Sequence, residues 1–362
     1  MKPGLSIWLD LIRVVATVVV VLSHWAYPRF TDGTYFILRE WNVGSDAVIV
    51  FFVISGIVIA YAAGRDQTAG RFAFNRLTRL WSVLIPAILL TFLFDRLGIG
   101  LDPSAYPQQY FQPLNLWEML GRGLTFSNEF AFPGPARLGT NGPLWSLSYE
   151  AAYYAIFGAA VFLGGARRIA VLLVLIMIAG PRIILLMPAW LMGVWFWHRL
   201  SSGSLPVLKP ASAYLLSIGA PALYVICQAI NLPDQLSTLT ADALGLPDAR
   251  QMLRFSDEFI WNTIIGIFTT LHLIGMAHLL HNSRLNWTSV RWFAGASFSI
   301  YVTHYPALHL LDASLPSNIL GRHAILLLGA IAVGLVFAEL FERRLGILRN
   351  ALRSSRRYAV RS

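Results

Sequence analysis

The chain has 362 residues, of which 56% are hydrophobic and only 13% charged, and its formal net charge is +10. A soluble globular chain is nearer to about 25% charged, so this composition excludes an ordinary soluble domain. Its apolar runs are long enough to cross a bilayer, which predicts an all-α, polytopic integral membrane protein. The excess of basic residues then indicates cytoplasmic loops rather than a nucleic-acid partner.

Ten hydrophobic segments are candidate membrane spans: residues 8–28, 43–63, 80–97, 143–163, 169–186, 188–200, 211–230, 257–280, 293–312 and 322–341. Lys and Arg concentrate in one alternate set of loops and in the C-terminal tail, which the positive-inside rule makes cytoplasmic. Both termini are then cytoplasmic. We divide the chain into a membrane domain, residues 1–341, and a basic cytoplasmic tail, residues 342–362, which we expect to lie on the anionic inner leaflet.

The first span carries four polar residues: Asp10, Arg13, Thr17 and His24. At about 100° per residue of α-helix, all four fall on one narrow stripe. Ionisable residues inside a membrane are costly and usually mark a functional site. The alternative is a polar cluster that only fixes how the helix packs.

The second span begins with Asp46 near its predicted outer end, and a short loop joins it to the first span. His24 and Asp46 are therefore expected to be neighbours. A carboxylate beside a histidine orients the ring and raises its basicity. Such a pair suits general base catalysis on a hydroxyl group.

The chain entering the third span, RFAFNRLTRLW, contains Arg71, Arg76 and Arg79 among aromatic residues. Arg76 and Arg79 are three residues apart, so they share one face of a helix. Guanidinium groups bind phosphates in bidentate fashion. A cytoplasmic coenzyme A thioester would fit this pattern, and the alternative is a cluster that binds lipid headgroups.

Two long segments, residues 98–142 and 231–256, are predicted to be outer loops. Long loops in a compact protein are often lids or binding loops. The aromatic residues of the first segment either stack on sugar rings or anchor the chain at the membrane interface.

The fourth and ninth spans carry the remaining polar candidates. Glu150 lies about two helical turns into the fourth span and is either catalytic or a hydrogen-bonded structural carboxylate. In the ninth span, Ser297, Tyr301 and His304 share one helix face, and Pro306 can kink that helix. His304 is expected to pack or to bind substrate rather than to catalyse.

Four segments together resemble the membrane-bound acyltransferase-3 family of bacterial glycan and antibiotic O-acyltransferases. They are LDLIRVVATVVVVLSH, FFVISG, the Arg76-x-x-Arg79 pair after FAFN, and LWSLSYE followed late in the chain by SFSIYVTHYP. The resemblance implies about ten helices, a cytoplasmic acyl-CoA donor and an extracytoplasmic acceptor hydroxyl. It also implies that His24 is the catalytic residue, that Arg13 is its essential partner, and that the arginine pair lies near the donor.

The predicted function is therefore an integral O-acyltransferase of the bacterial inner (plasma) membrane. It would move an acyl group, in the first place acetyl from acetyl-CoA, to a glycan or lipid-linked saccharide, with membrane lipids around it and neither a metal nor nucleic acid involved. The predicted catalytic residues are His24, Arg13, Glu150 and Asp46. The donor is assigned to Arg76, Arg79 and Arg71, and other substrate contacts to Asp10, Trp145, Ser148, Tyr301 and His304.

Two other functions are alternatives to the enzyme. In a proton-coupled secondary transporter the buried His, Arg and acidic residues would form a proton relay, but the sequence has no inverted repeat and no paired broken helices. A sugar-binding structural membrane protein would make His24 dispensable. Within the enzyme, direct attack by the acceptor and an acyl-histidine intermediate are both open.

Overall fold

The structure, a computed structural model, describes residues 2–109, 111–245, 249–283, 285–347 and 349. Within these ranges the chain forms helices and no strands, apart from one isolated antiparallel bridge between Gln112 and Gly139. The α-helices in chain order are α1 (Pro3–Trp25), α2 (Pro28–Thr31), α3 (Ile37–Glu40), α4 (Val43–Asp66), α5 (Ala69–Leu101), α6 (Leu116–Leu124), α7 (Trp145–Phe162), α8 (Gly165–Ala179), α9 (Pro181–Leu185), α10 (Met187–Ser201), α11 (Pro210–Ala229), α12 (Leu232–Leu244), α13 (Ala249–Leu253), α14 (Phe259–Leu279), α15 (Thr288–Ala294), α16 (Ser297–Ser314) and α17 (Arg322–Phe337). Short 3-10 turns cover Pro103–Ala105, Gly142–Leu144 and Arg254–Ser256, and a π-helical turn covers Ala338–Glu342.

Among the described residues, six helical stretches are long and apolar enough to cross a membrane: Pro3–Trp25, Val43–Asp66, Ala69–Leu101, Pro210–Ala229, Gln251–Leu279 and Arg322–Ile347. The other predicted spans coincide with the shorter helices α7, α8, α10 and α16. The prediction of an all-α, multi-pass membrane protein is confirmed. The number of ten spans and the cytoplasmic termini stay predictions, and of the predicted basic tail, residues 348 and 350–362 lie outside the described residues.

Most of the segment at residues 231–256, predicted to be an outer loop, is helical, and its position on the outer side stays a prediction. Helix α12 has Pro233 in its first turn and ends before Gly245, which adopts a left-handed conformation with φ 62°. A proline at the start and a glycine just after the end are favourable helix boundaries.

Two compact units make up the chain. The first consists of Met1–Ala16, Glu40–Ala69 and Tyr149–Arg291. In this unit α4 packs against α10 and α11 packs against α14. A side chain on Gly56 would collide with the carbonyl oxygen of Trp190, and one on Gly193 with that of Val53. These two glycines therefore let the backbones of α4 and α10 approach closely, as small residues do between membrane helices.

The second unit consists of Thr17–Arg39, Gly70–Ser148 and Trp292–Ser362. It contains the end of α1, nearly all of α5 and the packed pair α16 and α17. Its apolar core includes the buried side chains of Trp25, Phe30, Tyr305, Leu308 and Leu326. The first and ninth predicted spans thus contribute to one core, beside which the histidines of both spans lie.

Candidate functional site

His24 lies at the end of α1 with its side chain partly exposed. Its Nδ1 atom is 2.9 Å from the carbonyl oxygen of Val20, one turn earlier. A carbonyl oxygen only accepts hydrogen bonds, so Nδ1 carries the proton of the neutral ring. The lone pair is therefore on Nε2, which is the atom that can act as a base.

His304 on α16 is the partner that the structure places beside His24. Its Nδ1 atom is 2.7 Å from the carbonyl oxygen of Tyr301 and 3.1 Å from that of Ile300, so this nitrogen also carries the proton. Its unprotonated Nε2 atom lies 3.3 Å from His24 Nδ1, at the distance of a second acceptor. His304 is fully buried. The backbone thus fixes one tautomer in His304, and His304 in turn favours one tautomer in His24.

Aromatic rings and two arginines surround the histidine pair. The ring of Tyr305 is 4.7 Å from that of His24, between centroids. Arg29 donates a hydrogen bond to the Tyr305 hydroxyl and stands 5.0 Å over the Tyr27 ring, and Arg39 stands 4.1 Å over the same ring. Neither arginine was among the residues predicted for the site. Two positively charged side chains beside a base can stabilise negative charge that develops in a transition state.

Asp46 belongs to a buried network within the first unit. Its Oδ2 atom accepts hydrogen bonds from Tyr224 and Gln228, both at 2.8 Å, and its Oδ1 atom accepts one from Trp261 at 3.1 Å. These donors lie on α11 and α14. The carboxylate therefore joins three helices, while its predicted role in orienting His24 stays a prediction.

Glu150 also accepts hydrogen bonds inside the first unit. Ser55 donates to its Oε1 atom at 2.7 Å, and the Tyr154 hydroxyl donates to the same atom. Trp190 in turn donates to Ser55 at 3.3 Å. The bond from Ser55 to Glu150 joins the segments FFVISG and LWSLSYE. The geometry fits the structural alternative for Glu150, and its catalytic role stays a prediction.

Three residues predicted to contact substrate are buried in the second unit. Ser148 donates to the side-chain oxygen of Asn128 at 2.7 Å, and Tyr301 donates to the carbonyl oxygen of Pro143 at 2.8 Å. Trp145 is 6% exposed. Side chains that are buried and bonded internally reach a ligand only after rearrangement, so this geometry favours packing, and their substrate contacts stay predictions.

The other end of the first span holds Asp10 and Arg13. Their charged groups form an ion pair at 3.8 Å, with side chains 26% and 22% exposed. Both belong to the first unit and retain some accessible surface. The substrate contact of Asp10 and the role of Arg13 as partner of His24 stay predictions.

The predicted donor-binding arginines lie on the first turns of α5. Arg76 is buried, with its guanidinium carbon 5.9 Å from the centre of the Phe72 ring. Arg79 is partly exposed and Arg71 is exposed. The three guanidinium groups therefore lie at different depths at one end of the helix, from buried to exposed. Such an arrangement suits a ligand with several phosphates.

Arg349 adds a further guanidinium to the same helix end. It donates to the Thr78 hydroxyl at 3.1 Å and to the carbonyl oxygen of Asn75 at 2.6 Å. Asn75 directly precedes Arg76, and Thr78 directly precedes Arg79. Arg349 was not among the predicted donor residues, because nothing local in the sequence indicates where a residue so late in the chain folds back.

Three proteins of known description are similar to the chain. The O-acetyl transferase of Shigella phage Sf6 is 30% identical over 161 residues, 42% of this chain and 45% of that protein. The putative peptidoglycan O-acetyltransferase YrhL of Bacillus subtilis is 24% identical over 332 residues, 79% of this chain and 48% of that protein. The acyltransferase MdmB of Streptomyces mycarofaciens is 31% identical over 151 residues, 40% of this chain and 36% of that protein. The chain thus spans less than half the length of each relative.

No solved structure matches the chain. The family described as an acyltransferase domain, acyltransferase-3, matches residues 6–339. This match includes the first span with its histidine, the arginine pair on α5 and the late histidine motif on α16. The resemblance noted from the motifs is confirmed: the chain belongs to the acyltransferase-3 family.

Proposed function

We propose that the protein is an integral membrane O-acetyltransferase that moves an acetyl group from cytoplasmic acetyl-CoA to a hydroxyl of an extracytoplasmic or lipid-linked glycan. Family membership and two relatives named as O-acetyltransferases support transfer to oxygen. Membership in an acyltransferase family does not favour the transporter. The bacterial inner membrane is the proposed location.

The tautomer of His24 is the observation that carries this proposal. Val20 and His304 both face Nδ1, which places the basic lone pair on Nε2. A partly exposed imidazole with a fixed tautomer suits proton removal from a hydroxyl.

The proposed reaction has one bond formed and one broken at the acyl carbon. His24 Nε2 removes the proton as the acceptor oxygen attacks the thioester carbonyl carbon. The carbon–sulfur bond then breaks, and the imidazolium returns the proton to the departing thiolate.

Arg29 and Arg39 would lower the energy of the negative charge that forms on the carbonyl oxygen. Arg76, Arg79, Arg71 and Arg349 would hold the phosphates of the donor.

A transfer assay tests the proposal directly. The purified protein in lipid bilayers is given radiolabelled acetyl-CoA with and without cell-envelope glycan, beside a His24→Ala variant. We expect label in the glycan with the wild type only. No transfer by the wild type from acetyl-CoA or longer acyl-CoAs, despite a correctly folded protein, would rule out the proposed function.

The same material separates the two chemical routes. Incubation with labelled acetyl-CoA alone, followed by denaturation, leaves label on the protein if an acyl-histidine forms. We expect direct transfer and therefore no protein-bound label, because the neutral tautomer is already suited to act as a base. Label that is retained by the wild type and lost in His24→Ala would instead establish the covalent intermediate.

A further inference from the structure

A cavity of about 300 Å³ opens at the C-terminal end of α5, within the second unit. One wall is formed by Phe92, Asp95 and Arg96 of α5. The opposite wall is formed by the segment that contains Gln112 and Asn115. Neither the predicted donor residues nor His24 lines it, so this cavity, which we name the outer cavity, is separate from the site described above.

The floor of the outer cavity is rigid. Asp95 accepts hydrogen bonds from the backbone N–H of Thr140 at 3.0 Å and from its hydroxyl at 2.6 Å. A side chain on Gly139 would collide with the same carboxylate. The loop thus lies directly on α5, and Gln112 forms the isolated bridge to Gly139 across the cavity.

The side chains of the outer cavity combine an aromatic face with fixed hydrogen-bonding groups. The guanidinium of Arg96 stands 5.2 Å from the centre of the Phe92 ring, and the Arg96 side chain is exposed. The amide oxygen of Gln112 accepts from the backbone of Arg137 at 2.8 Å, and that of Asn115 accepts from the backbone of Glu118 at 2.8 Å. These bonds hold both amides in place. Aromatic faces beside several such groups match a sugar ring, which has apolar faces and a polar edge.

A row of rings connects the outer cavity to the histidine site. Phe111 lines the cavity and is 5.6 Å from Tyr106, between ring centroids. Tyr106 is 5.5 Å from His309, which is 5.0 Å from Tyr305, the neighbour of His24. Burial raises the pKa of the Tyr106 hydroxyl, so that ring stays uncharged. Three rings thus lie between the cavity and His24, which is too far for a group in the cavity to react there.

We propose that the outer cavity binds a sugar unit of the acceptor glycan other than the unit that receives the acyl group. This inference rests on the proposed function. The volume is at the lower end of the range of about 300–1,000 Å³ for small-molecule sites, which suits a single ring and excludes a coenzyme. Binding energy from a remote unit helps to place the reacting unit, so the enzyme prefers an oligosaccharide to a single sugar.

The test uses glycan from the cell envelope of the source organism, cut enzymatically and separated into single sugars and oligosaccharides. Transfer from labelled acetyl-CoA is measured with the variants Phe92→Leu and Arg96→Gln of the full chain in lipid bilayers. The exposed position of Arg96 keeps the second variant folded. Leu320→Ala is the control, because Leu320 is 95% exposed and lies outside the cavity walls.

We expect each variant to raise KM for the oligosaccharide about tenfold. The value of kcat, KM for acetyl-CoA and the rate with single sugars should stay unchanged, as should every value for the Leu320 control. Wild-type KM values for the oligosaccharide in both variants would overturn the assignment of the cavity.

A binding measurement separates this inference from the proposed function. Equilibrium binding of the same labelled oligosaccharide is measured without a donor. If the wild type transfers no acetyl group but binds the oligosaccharide, and Arg96→Gln binds it about tenfold more weakly, the proposed function fails and the cavity assignment stands. Equal binding by the wild type and both variants overturns the assignment whatever the transfer result.

Discussion

His304 Nε2 lies 3.3 Å from His24 Nδ1, although 280 positions separate the two histidines in the chain. Each ring is also held by a carbonyl oxygen of its own helix, from Val20 and from Tyr301. Two neutral rings that fix one another leave a single basic nitrogen. Under the proposed function, His304 would fix the tautomer of His24 as a carboxylate does in many enzymes, without adding a negative charge.

Replacement of His304 tests this positioning role. His304→Ala is expected to lower kcat by about tenfold to hundredfold, because a ring displaced by about 1 Å is poorly aligned for proton transfer. His304→Gln is expected to restore most of the rate, since its amide oxygen can accept from His24 Nδ1. Steady-state kinetics across a range of pH gives kcat and both KM values, and KM for acetyl-CoA should not change.

His278→Ala is the matched control, because His278 contacts only the carbonyl oxygen of Pro206 among its described hydrogen bonds, near the surface. Equal kcat values for the wild type and both His304 variants would show that His24 needs no such partner.

The arginine pair on α5 gives a second prediction. Arg76→Lys and Arg79→Lys keep the charge but remove the planar fork, so each is expected to raise KM for acetyl-CoA about tenfold while KM for the glycan stays constant. Arg167→Lys is the control, because Arg167 is an exposed residue of α8. Initial rates at varied donor concentration provide the measurement. If all three variants behave alike, the pair serves the membrane surface and not the donor.

Glu150→Gln separates the two alternatives for Glu150. The variant keeps an oxygen to accept from Ser55 and Tyr154 but removes the negative charge. Because the geometry of Glu150 fits the structural alternative, we expect a lower melting temperature and a kcat close to that of the wild type. Thermal unfolding and transfer rates are measured on the same preparation. A loss of kcat of at least about tenfold at an unchanged melting temperature would instead establish the catalytic role.

Ser55→Ala provides the complementary measurement. Loss of a hydrogen bond to a charged acceptor is expected to lower the free energy of unfolding by about 1.5–3 kcal/mol. The effect should appear as a lower melting temperature, with KM for the donor unchanged.

Gly56→Ala tests the close packing of α4 on α10. The new methyl group meets the carbonyl oxygen of Trp190, and overpacking of this kind costs about 1–3 kcal/mol. Gly64→Ala on the same helix is the control, because nothing lies within 4 Å of its added carbon. Thermal unfolding in detergent should show a lower melting temperature for Gly56→Ala only. Equal melting temperatures would mean that the two helices can separate freely at this point.

Features that depend on residues close together in the sequence were predicted correctly. The polar stripe of the first span, the arginines at the start of α5 and the helical character of every span follow from periodicity and spacing within about twenty residues. His24 was found in this way, because an ionisable group in an apolar run is conspicuous whatever surrounds it.

Partners that come from distant parts of the chain were not predictable in the same way. Asp46 was expected beside His24 because a short loop joins their helices, yet its described hydrogen bonds come from Tyr224, Gln228 and Trp261, which lie at least 178 positions later. His304 was assigned to packing or binding for the same reason. Packing between helices decides such contacts, and a single sequence does not encode them in any local motif.

The length of α5 also determines which acyl donors can serve. Arg76 and Asp95 are nineteen residues apart on this helix, a rise of about 28 Å, close to the thickness of about 30 Å of a bilayer core. Under the proposed function, a donor whose phosphates bind at Arg76 must extend its acyl group along part of this length to reach His24. A coenzyme with a long flexible arm can do so, whereas acetyl phosphate would be held at the same arginines with no arm to carry its acetyl group to His24. The length of the donor molecule, rather than its affinity for the arginines, would then decide first which acyl donors can react.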